Sequence, residues 1–397
     1  MRILLVSHMY PNSFNPVAGI FVRQQAEALQ ALGIELIVIS PVPWAPGPLR
    51  LHPKWARYAE IPLEEDVNGI HVFHPRVPEF PRSYGLRFSG WLYQTSVKPL
   101  LTKLHCQRPF DLVHAHVALP DGASALAFCR HYNVPLVLTI HGQDFFHTIH
   151  RNHACRAKVQ QVLQAAERVV LVSSKLRSLA EAEGLVSDMS KIKIVHNGVD
   201  LKSVYQGENP LQAAYAGKQL VLSVGYLIKR KGHAFMLEAI SRLAPNFPQL
   251  RYLIVGSGEE QENLASQAKA LGIAERVEFL GRRSHREVLQ YMDACDIFAL
   301  PSWDEAFGVV YAEAMAQGRP VIGCRGEGIE DFVVHGKTGY LAEPRDTESL
   351  TRILANLLAH PSQAVEVGLA ARKVVAEEFT WDKCALKLKE VYASMLS

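Results

Sequence analysis

The chain has 397 residues, 48% hydrophobic and 20% charged, and a formal net charge of +3. Its composition is too apolar for a disordered protein. We expect no nucleic acid partner. The length exceeds the roughly 250 to 300 residues at which a single hydrophobic core stops growing, so two domains are expected. Six separated cysteines without a C-x-x-C pair favour a reducing cytoplasm.

The N-terminal residues are typical of a first β-strand, not of a signal peptide. The apolar run stops at Ser7-His8, short of the roughly 7 to 15 apolar residues that a signal peptide needs. The sequence contains no run of about 18 apolar residues, so we expect no membrane-spanning helix. The sequence therefore predicts a cytoplasmic protein.

The first half of the chain shows the strand, helix and strand pattern of a parallel α/β sheet. A strand is predicted at Arg2–Val6, a helix between Gly19 and Gly33, and a second strand at Leu36–Ile39. Apolar residues at helical spacing support that helix: Val22, Ala26, Leu29 and Leu32. Three more strands are predicted: Leu112–Ala115, Leu136–Ile140 and Val169–Val172.

A basic and aromatic stretch lies between residues 76 and 103. Its cations and aromatic residues are Arg76, Arg82, Arg87, Lys98, Lys103, Phe80, Tyr84, Phe88, Trp91 and Tyr93. Such a mixture suits anionic lipid headgroups and predicts peripheral contact with the inner face of a membrane. A solvated helix whose aromatic residues pack inward explains the stretch equally well, so both interpretations stay open.

The second half repeats the pattern. The strand Leu220–Val224 leads through the loop Gly225–Gly232 into a helix that carries Phe235, Leu237 and Ile240. Further strands are predicted at Tyr252–Val255, Val277–Leu280, Ile297–Leu300 and Pro320–Gly323. We therefore predict two domains, residues 1–205 and 206–380, with a C-terminal helix at about 381–397 that packs back on the first domain.

The most informative segment joins the strand that ends at Pro301 to a helix that we predict from near Phe307 to Gly318. In a parallel sheet, ligands sit beyond the carboxyl ends of the strands. A helix N-terminus at that position offers free amides and the positive end of the helix dipole, which together bind phosphate. The amides concerned are those of Phe307, Gly308 and Val309.

Two glutamates, Glu305 and Glu313, flank this helix start. Eight helical steps would separate them by about 12 Å, well beyond the roughly 5 Å of a retaining glycosidase pair. They are therefore not an acid and base dyad. Their spacing instead suits the two ends of an extended ligand, with sugar hydroxyls and ribose hydroxyls on either side of a diphosphate.

With these features the chain resembles glycosyltransferase family 4, a retaining family with the GT-B fold, in which two doubly wound Rossmann-like domains border an interdomain cleft. It resembles particularly the bacterial enzymes of cell-surface polysaccharide and teichuronic acid synthesis. The matching motifs are Tyr10-Pro11, Gly19-Ile20-Phe21-Val22-Arg23, His141-Gly142-Gln143-Asp144, Asn197-Gly198-Val199-Asp200 and Thr338-Gly339-Tyr340-Leu341.

The resemblance implies a role for each motif residue. Glu305 contacts the donor sugar, Glu313 binds the ribose, and the Phe307–Val309 amides meet the phosphates. His141 contacts the sugar and Asp144 holds its neighbour. Domain closure brings Gly19 to the sugar. Gly225 opens the loop on the donor side, and Gly256, after a strand of the second half, either shapes the nucleotide pocket or serves close packing.

A diphosphate leaving group needs its charge neutralised, and three adjacent cations follow Gly225 in the loop. Lys231 matches the lysine of the family. Tyr226 stands where many members carry arginine, so we assign Arg230 as its substitute.

No metal or cofactor is expected. His114 and His116 share one strand face but lack a third ligand. A dinucleotide oxidoreductase is disfavoured because neither starting loop contains G-x-G-x-x-G. The resemblance implies retaining transfer, and we expect the donor to be a UDP- or GDP-sugar and the acceptor a sugar, a lipid-linked sugar or a polysaccharide. A sugar-nucleotide epimerase of the same fold, or a non-catalytic nucleotide-sugar-binding subunit, remains the alternative.

Overall fold

The computed structural model describes residues 1–16, 19–78, 86–205 and 207–396, with only the backbone at 86–90. The chain forms two compact units, one of Met1–Asn197 with Trp381–Ser397 and one of Gly198–Thr380. The division falls earlier than the predicted boundary at 205 and 206. Backbone contacts explain this position, because the Val199 amide donates to the Phe379 carbonyl at 2.9 Å within the second unit.

The first unit contains ten strands and eight helices among its described residues. The strands are β1 Arg2–Val6, β2 Glu35–Ile39, β3 Val42–Pro43, β4 Glu64–Val67, β5 Ile70–Phe73, β6 Arg76–Val77, β7 Leu112–His116, β8 Leu136–Ile140, β9 Arg168–Leu171 and β10 Ile192–Ile194. The helices are α1 Ile20–Ala31, α2 Pro53–Glu60, α3 Leu86–Gln107, α4 Ala123–Tyr132, α5 Ile149–Arg151, α6 His153–Ala165, α7 Ser174–Ala182 and the C-terminal α15 Trp381–Leu396.

The main sheet of this unit has the order β10-β9-β8-β7-β1-β2-β5-β4. All of its pairs are parallel except β4 with β5. Strands β7 and β8 are buried along their whole length, as expected of central strands in a parallel sheet that is covered on both faces. The strand order reverses at β1, whose neighbours are β2 and β7, and a crevice opens at such a reversal.

The second unit contains one six-stranded parallel sheet. Its strands are β11 Gln219–Val224, β12 Leu250–Val255, β13 Val277–Gly281, β14 Ile297–Ala299, β15 Val321–Cys324 and β16 Tyr340–Ala342. Its helices are α8 Pro210–Ala214, α9 His233–Leu243, α10 Gln261–Ala270, α11 His285–Ala294, α12 Val309–Ala316, α13 Thr347–Ala359 and α14 Pro361–Glu378. The order β13-β12-β11-β14-β15-β16 reverses at β11. The predicted α/β fold with two parallel sheets is confirmed.

The C-terminal helix α15 belongs to the core of the first unit. Its buried residues are Trp381, Cys384, Ala385, Leu388, Val391 and Tyr392, which join the cluster that contains Ile3, Val22 and Leu36. The Trp381 indole donates to the Gln24 side chain at 3.1 Å. The end of the chain therefore supplies part of the hydrophobic core that β1 and α1 require.

The stretch at 76–103 contains both inward and outward side chains. The Arg76 guanidinium donates to the carbonyls of Tyr58 and Ile61, and Tyr93 is buried. Trp91, Lys98 and Lys103 are exposed on α3. Phe80, Arg82 and Tyr84 lie outside the described residues, as do the side chains of Arg87 and Phe88. Within the described part of the chain, no helix has both the length and the apolar character needed to cross a bilayer.

We predict that Leu388→Ala lowers the free energy of unfolding of the first unit by about 2 to 5 kcal/mol, because the truncation leaves a cavity in the core. Leu386→Ala on the same helix is the matched control, since Leu386 is 46% exposed and Leu388 is fully buried. Urea titration, monitored by hydrogen exchange of the β1 amides, measures the free energy of unfolding of both variants. Equal effects of the two substitutions would contradict this packing of α15.

Candidate functional site

Two loops of the second unit meet where its strand order reverses. The loop at 225–232 follows β11, and the loop at 300–308 follows the neighbouring strand β14. The Trp303 amide donates to the Arg230 carbonyl at 2.9 Å, which joins the two loops directly. Because the loops leave the sheet at a topological switch point, their side chains face the place where ligands of such sheets bind.

The two loops contribute one ion pair, between Lys231 and Glu305. Lys231 Nζ lies 2.5 Å from Glu305 Oε2, with side-chain exposures of 12% and 14%, and the Ser302 hydroxyl donates to the same oxygen at 3.2 Å. Burial acts to raise the pKa of Glu305, but the charge and hydrogen bond of Lys231 outweigh it. The pKa of Glu305 is therefore held below its ordinary value, and the carboxylate is charged.

Arg230 lies beside this pair. Its Nη1 donates to the Asp304 carbonyl at 3.1 Å, and its charge also lowers the pKa of Glu305, after the larger effects of burial and Lys231. Tyr226, which stands at the position of the family arginine, is 61% exposed. The structure thus brings Arg230 and Lys231 to the same loop junction and leaves the Tyr226 ring at the surface.

Glu327 fixes the backbone around Glu305, and the sequence did not reveal this. The Glu327 carboxylate accepts from the Glu305 amide at 2.8 Å, while the Gly328 amide donates to the Glu305 carbonyl at 3.1 Å. A Cβ at Gly328 would lie 1.8 Å from the Ala306 carbonyl oxygen. The segment after β15 therefore approaches the Glu305 loop too closely for any residue except glycine.

The helix α12 begins at Val309, later than predicted. Gly308 precedes it in the left-handed region at φ 82°, and the Tyr311 amide donates to the Gly308 carbonyl at 3.0 Å. The first-turn amides are therefore those of Val309 and Val310, which have no partner within the helix. Phe307 lies before the helix, and its buried ring packs against Phe332 at 4.9 Å between centroids.

Glu313 lies one turn further along α12, where Val309, Val310 and Glu313 form its partly exposed face. Its Oε1 lies 2.7 Å from His285 Nε2, at the start of α11. The structure therefore pairs the two candidate glutamates with different partners, Glu305 with Lys231 and Glu313 with His285. No sequence pattern links His285 to Glu313, because only the tertiary fold brings the two residues together.

The glycines that follow β11 and β12 lie against one another. Gly256 has a φ of 144°, and a Cβ there would lie 1.8 Å from the Gly225 carbonyl oxygen. A Cβ at Gly225 itself would make only ordinary contacts, at 3.8 Å from the Lys231 side chain. Close packing of the two loops is therefore sufficient to require glycine at 256.

In the first unit, the loops after β1 and β7 also meet at a switch point. His8 Nδ1 lies 2.9 Å from Asp121 Oδ2, and the His8 amide lies 3.2 Å from both oxygens of this buried carboxylate. Asp144 accepts from the Ala118 amide at 2.9 Å and from the Leu119 amide at 3.3 Å. Burial raises the pKa of Asp144 to about 6, although these two hydrogen bonds oppose the rise.

His141 follows β8, and its ring packs beside Phe21 at 4.8 Å between centroids. His141 Nε2 lies 2.9 Å from His116 Nδ1. Burial lowers the pKa of His141 to about 3, so the ring is neutral at physiological pH. The described residues contain no group of three or more His, Cys, Asp or Glu arranged for a metal ion.

Gly19 precedes α1 in the left-handed region, at φ 64°. A Cβ at this position would lie 1.7 Å from the Met9 carbonyl oxygen, so the loop after β1 crosses directly over the helix start. Backbone geometry alone therefore requires glycine at this position, whether or not a ligand also contacts it.

We predict that Lys231→Met raises the pKa of Glu305, because burial then acts without its counter-charge. A pH titration of the Glu305 carboxyl ¹³C NMR signal measures this pKa. The ion pair stabilises the folded protein fully above the ordinary pKa of glutamate, and this contribution is lost as the pH falls through the lowered pKa of Glu305. The difference in free energy of unfolding between wild type and Lys231→Met should therefore decrease in acid. Lys229→Met is the control, since Lys229 is exposed on the same turn. An equal shift in both variants would contradict the pairing.

Two family models match the chain. One, described as Glycosyltransferase Family 4, matches residues 18–203, and the other, described as Glycosyl transferases group 1, matches residues 209–374. Together they extend over most of both units.

Curated relatives match over large parts of the chain. A D-inositol 3-phosphate glycosyltransferase of Mycobacteroides abscessus is 32% identical over 311 residues, covering 72% of this chain and 67% of the relative. The putative teichuronic acid biosynthesis glycosyltransferase TuaC of Bacillus subtilis is 27% identical over 405 residues, covering 100% of this chain and 99% of the relative.

Solved structures share the fold over the whole chain. Sucrose-phosphate synthase of Thermosynechococcus elongatus aligns with a TM-score of 0.83 at 23% identity, covering 100% of this chain and 99% of that structure. Anabaena HepE in complex with UDP and glucose aligns with a TM-score of 0.76 at 22% identity, covering 99% of this chain and 100% of that structure. At these identities the alignments show the similarity of fold.

Proposed function

This chain belongs to the GT-B glycosyltransferases of family 4, and on that basis we propose that it transfers a sugar from a UDP- or GDP-sugar to a hydroxyl acceptor. The acceptor is a sugar, a lipid-linked sugar or a polysaccharide, and the pathway is cell-surface polysaccharide or glycolipid synthesis. The observation that carries the proposal is the Lys231–Glu305 pair, which lies beside the N-terminus of α12 at the switch point of the second sheet.

The proposed donor site neutralises a diphosphate without a metal. The first-turn amides of α12 and its dipole attract the phosphates, and Lys231 supplies a full positive charge close by. Charge that develops on the leaving diphosphate is stabilised by these fixed groups, which need no rearrangement during the reaction. Arg230, held against the Asp304 carbonyl, supplies the second cation in place of the family arginine, whose position Tyr226 occupies.

The two glutamates bind opposite ends of the donor in this proposal. Glu305 accepts hydrogen bonds from sugar hydroxyls while Lys231 keeps it charged. Glu313 accepts from the ribose hydroxyls, with His285 orienting its carboxylate. In the first unit, His141 contacts the donor sugar.

Transfer with retention is the proposed stereochemical course. The bond from the anomeric carbon to the acceptor oxygen forms on the face from which the phosphate oxygen leaves, and that oxygen takes the acceptor proton. A carboxylate already bonded to Lys231 and Ser302 is a poor covalent nucleophile, which supports this front-face course over a glycosyl-enzyme intermediate at Glu305.

The relatives narrow the first substrates to test. TuaC is named for teichuronic acid synthesis, and the HepE complex holds UDP and glucose. For this chain we therefore propose a UDP-hexose as the donor and a growing glycan as the acceptor. Trp91 and Lys98, seven residues apart on α3 and both exposed, support the proposed peripheral contact with an anionic inner membrane surface.

We predict that one member of a panel of UDP-, GDP- and ADP-sugars raises the melting temperature, because a ligand at 100 times its Kd stabilises the native state by about 2.7 kcal/mol. Glu313→Gln should weaken that ligand about 10- to 100-fold, through loss of charge-assisted hydrogen bonds. Glu366→Gln, on the exposed face of α14, is the control. Equal binding by both variants would remove Glu313 from the donor site.

We predict that the anomeric configuration of the donor is retained in the product. Proton NMR of the product formed in the first turnovers, before mutarotation or further transfer, measures the configuration. Inversion would contradict the front-face course. Interconversion of nucleotide sugars without transfer to an added acceptor would instead indicate the epimerase.

A further inference from the structure

A polar groove lies in the first unit, and none of the candidate site residues lines it. Helices α3, α4 and α6 pack against one another and form its walls. Its volume is about 370 Å³, within the range of roughly 300 to 1,000 Å³ that small-molecule sites occupy. Leu126 of α4 is a lining residue that is only 5% exposed, so the bottom of the groove is apolar.

The three helices around the groove carry charge of one sign. Their sequences contain no Asp or Glu, and their Lys and Arg residues are Arg87, Lys98, Lys103, Arg130, Arg156 and Lys158. Arg156 is already paired, because its Nη1 lies 2.8 Å from Glu183 Oε2. A surface of one sign raises the local concentration of oppositely charged molecules, so this side of the first unit attracts anions.

Two of these cations, Arg130 and Lys158, line the groove from different helices. Arg130 is exposed, and its guanidinium has no ion pair or hydrogen bond with any residue that the structure describes. Lys158 Nζ donates to Gln161 Oε1 at 2.9 Å, and this neutral amide orients the ammonium group without compensating its charge. The groove therefore presents two positive charges and has no carboxylate among its described lining residues.

The polar groups of the groove suit a hydroxyl-rich anion. Gln94 and Gln161 line it with side-chain amides, which can donate to and accept from hydroxyl groups. Guanidinium and ammonium groups bind carboxylates and phosphates through charge-assisted hydrogen bonds. The apolar bottom can contact the C–H groups of a sugar ring. A glycan that carries acidic groups matches all three features.

An anionic membrane matches the groove less well. Binding to a bilayer surface buries exposed apolar side chains at the boundary of headgroups and acyl chains. Leu126 is buried at the bottom of the groove, whereas the exposed Trp91 is not one of its lining residues. The proposed membrane contact of Trp91 and the groove therefore use different side chains.

We propose that the groove between α3, α4 and α6 binds an acidic segment of a glycan. Arg130 and Lys158 hold its carboxylates or phosphates, and Gln94 and Gln161 hold its hydroxyls. The inference rests on the proposed function for the source of this segment, which is the growing acceptor glycan. The groove then raises the affinity for acidic acceptor chains over neutral ones.

Binding to the groove is measurable by titration calorimetry without any donor. The acidic probes are hexagalacturonate, which carries carboxylates, and pentamannose phosphate, and maltohexaose is the neutral control. We expect at least one acidic probe to bind, with an affinity that falls as salt is added, because charged contacts on a surface are screened. Absence of binding by both acidic probes, or equal binding by maltohexaose, would overturn the proposal.

Removal of both cations tests their role. Arg130→Gln combined with Lys158→Gln should weaken binding of the acidic probe about 10-fold, since two exposed charge-assisted contacts are lost. The matched control is Arg177→Gln combined with Lys193→Gln, which removes two exposed cations of the same unit outside the groove. Equal losses in the two double variants would mean that only the net charge attracts the probe.

A variant that fills the groove separates a defined site from a diffuse basic surface. Ala127 lines the groove and is half-buried. Ala127→Phe keeps every charge but occupies part of the groove, so affinity for the acidic probe should fall about 10-fold or more. Ala157→Phe, exposed on α6 and outside the lining, is the control. Undiminished binding by Ala127→Phe, with circular dichroism showing that it is folded, overturns the site, and if it does not fold, the paired charge variants decide.

Vesicles of phosphatidylglycerol test the membrane as the partner. Vesicle binding that depends on Arg130 and Lys158, without binding of either acidic probe, would assign the groove to lipid and overturn the glycan. Failure of the proposed function shows separately, as no thermal stabilisation by any nucleotide sugar, while the acidic probes still bind.

Discussion

The reversal of strand order in each parallel sheet is the constraint on which the candidate sites depend. At β11 the neighbouring strands are β12 and β14, so the loops that follow β11 and β14 depart to opposite faces and leave a crevice. The Lys231–Glu305 pair bridges that crevice. In the first unit, His8 and Asp121 bridge the corresponding place between β1 and β7. Two residues far apart in the chain therefore meet because their strands are neighbours.

The charges at the crevice of the second unit are fixed by groups of the protein itself. A buried carboxylate alone would tend to be protonated, and burying a charged lysine alone would cost free energy. In the pair, each charge offsets the desolvation cost of the other. Ser302 and the Glu327 contact to the backbone hold the Glu305 side chain and its loop in place. In the proposed reaction, an incoming diphosphate would meet a lysine, an arginine and helix amides whose positions are already determined, which would reduce the reorganisation needed for transfer.

In the first unit, burial without a counter-charge sets the state of three histidines. His114, His116 and His141 are kept neutral, and each makes a hydrogen bond to a side chain of the same unit. Tyr392 of the C-terminal helix lies 2.8 Å from His114 Nδ1, so the last helix of the chain supports this group of histidines as well as the hydrophobic core.

Local sequence determined the elements, and tertiary structure decided the partners. Short apolar runs predicted β1 at Arg2–Val6 and β8 at Leu136–Ile140, because strands of a parallel sheet covered on both faces are mostly apolar. The start of α12 was missed because Gly308 adopts a left-handed conformation that apolar spacing does not encode. The sequence did not predict that His285 contacts Glu313 or that Glu327 accepts from the Glu305 amide. Each contact joins separate loops that only the tertiary packing brings together.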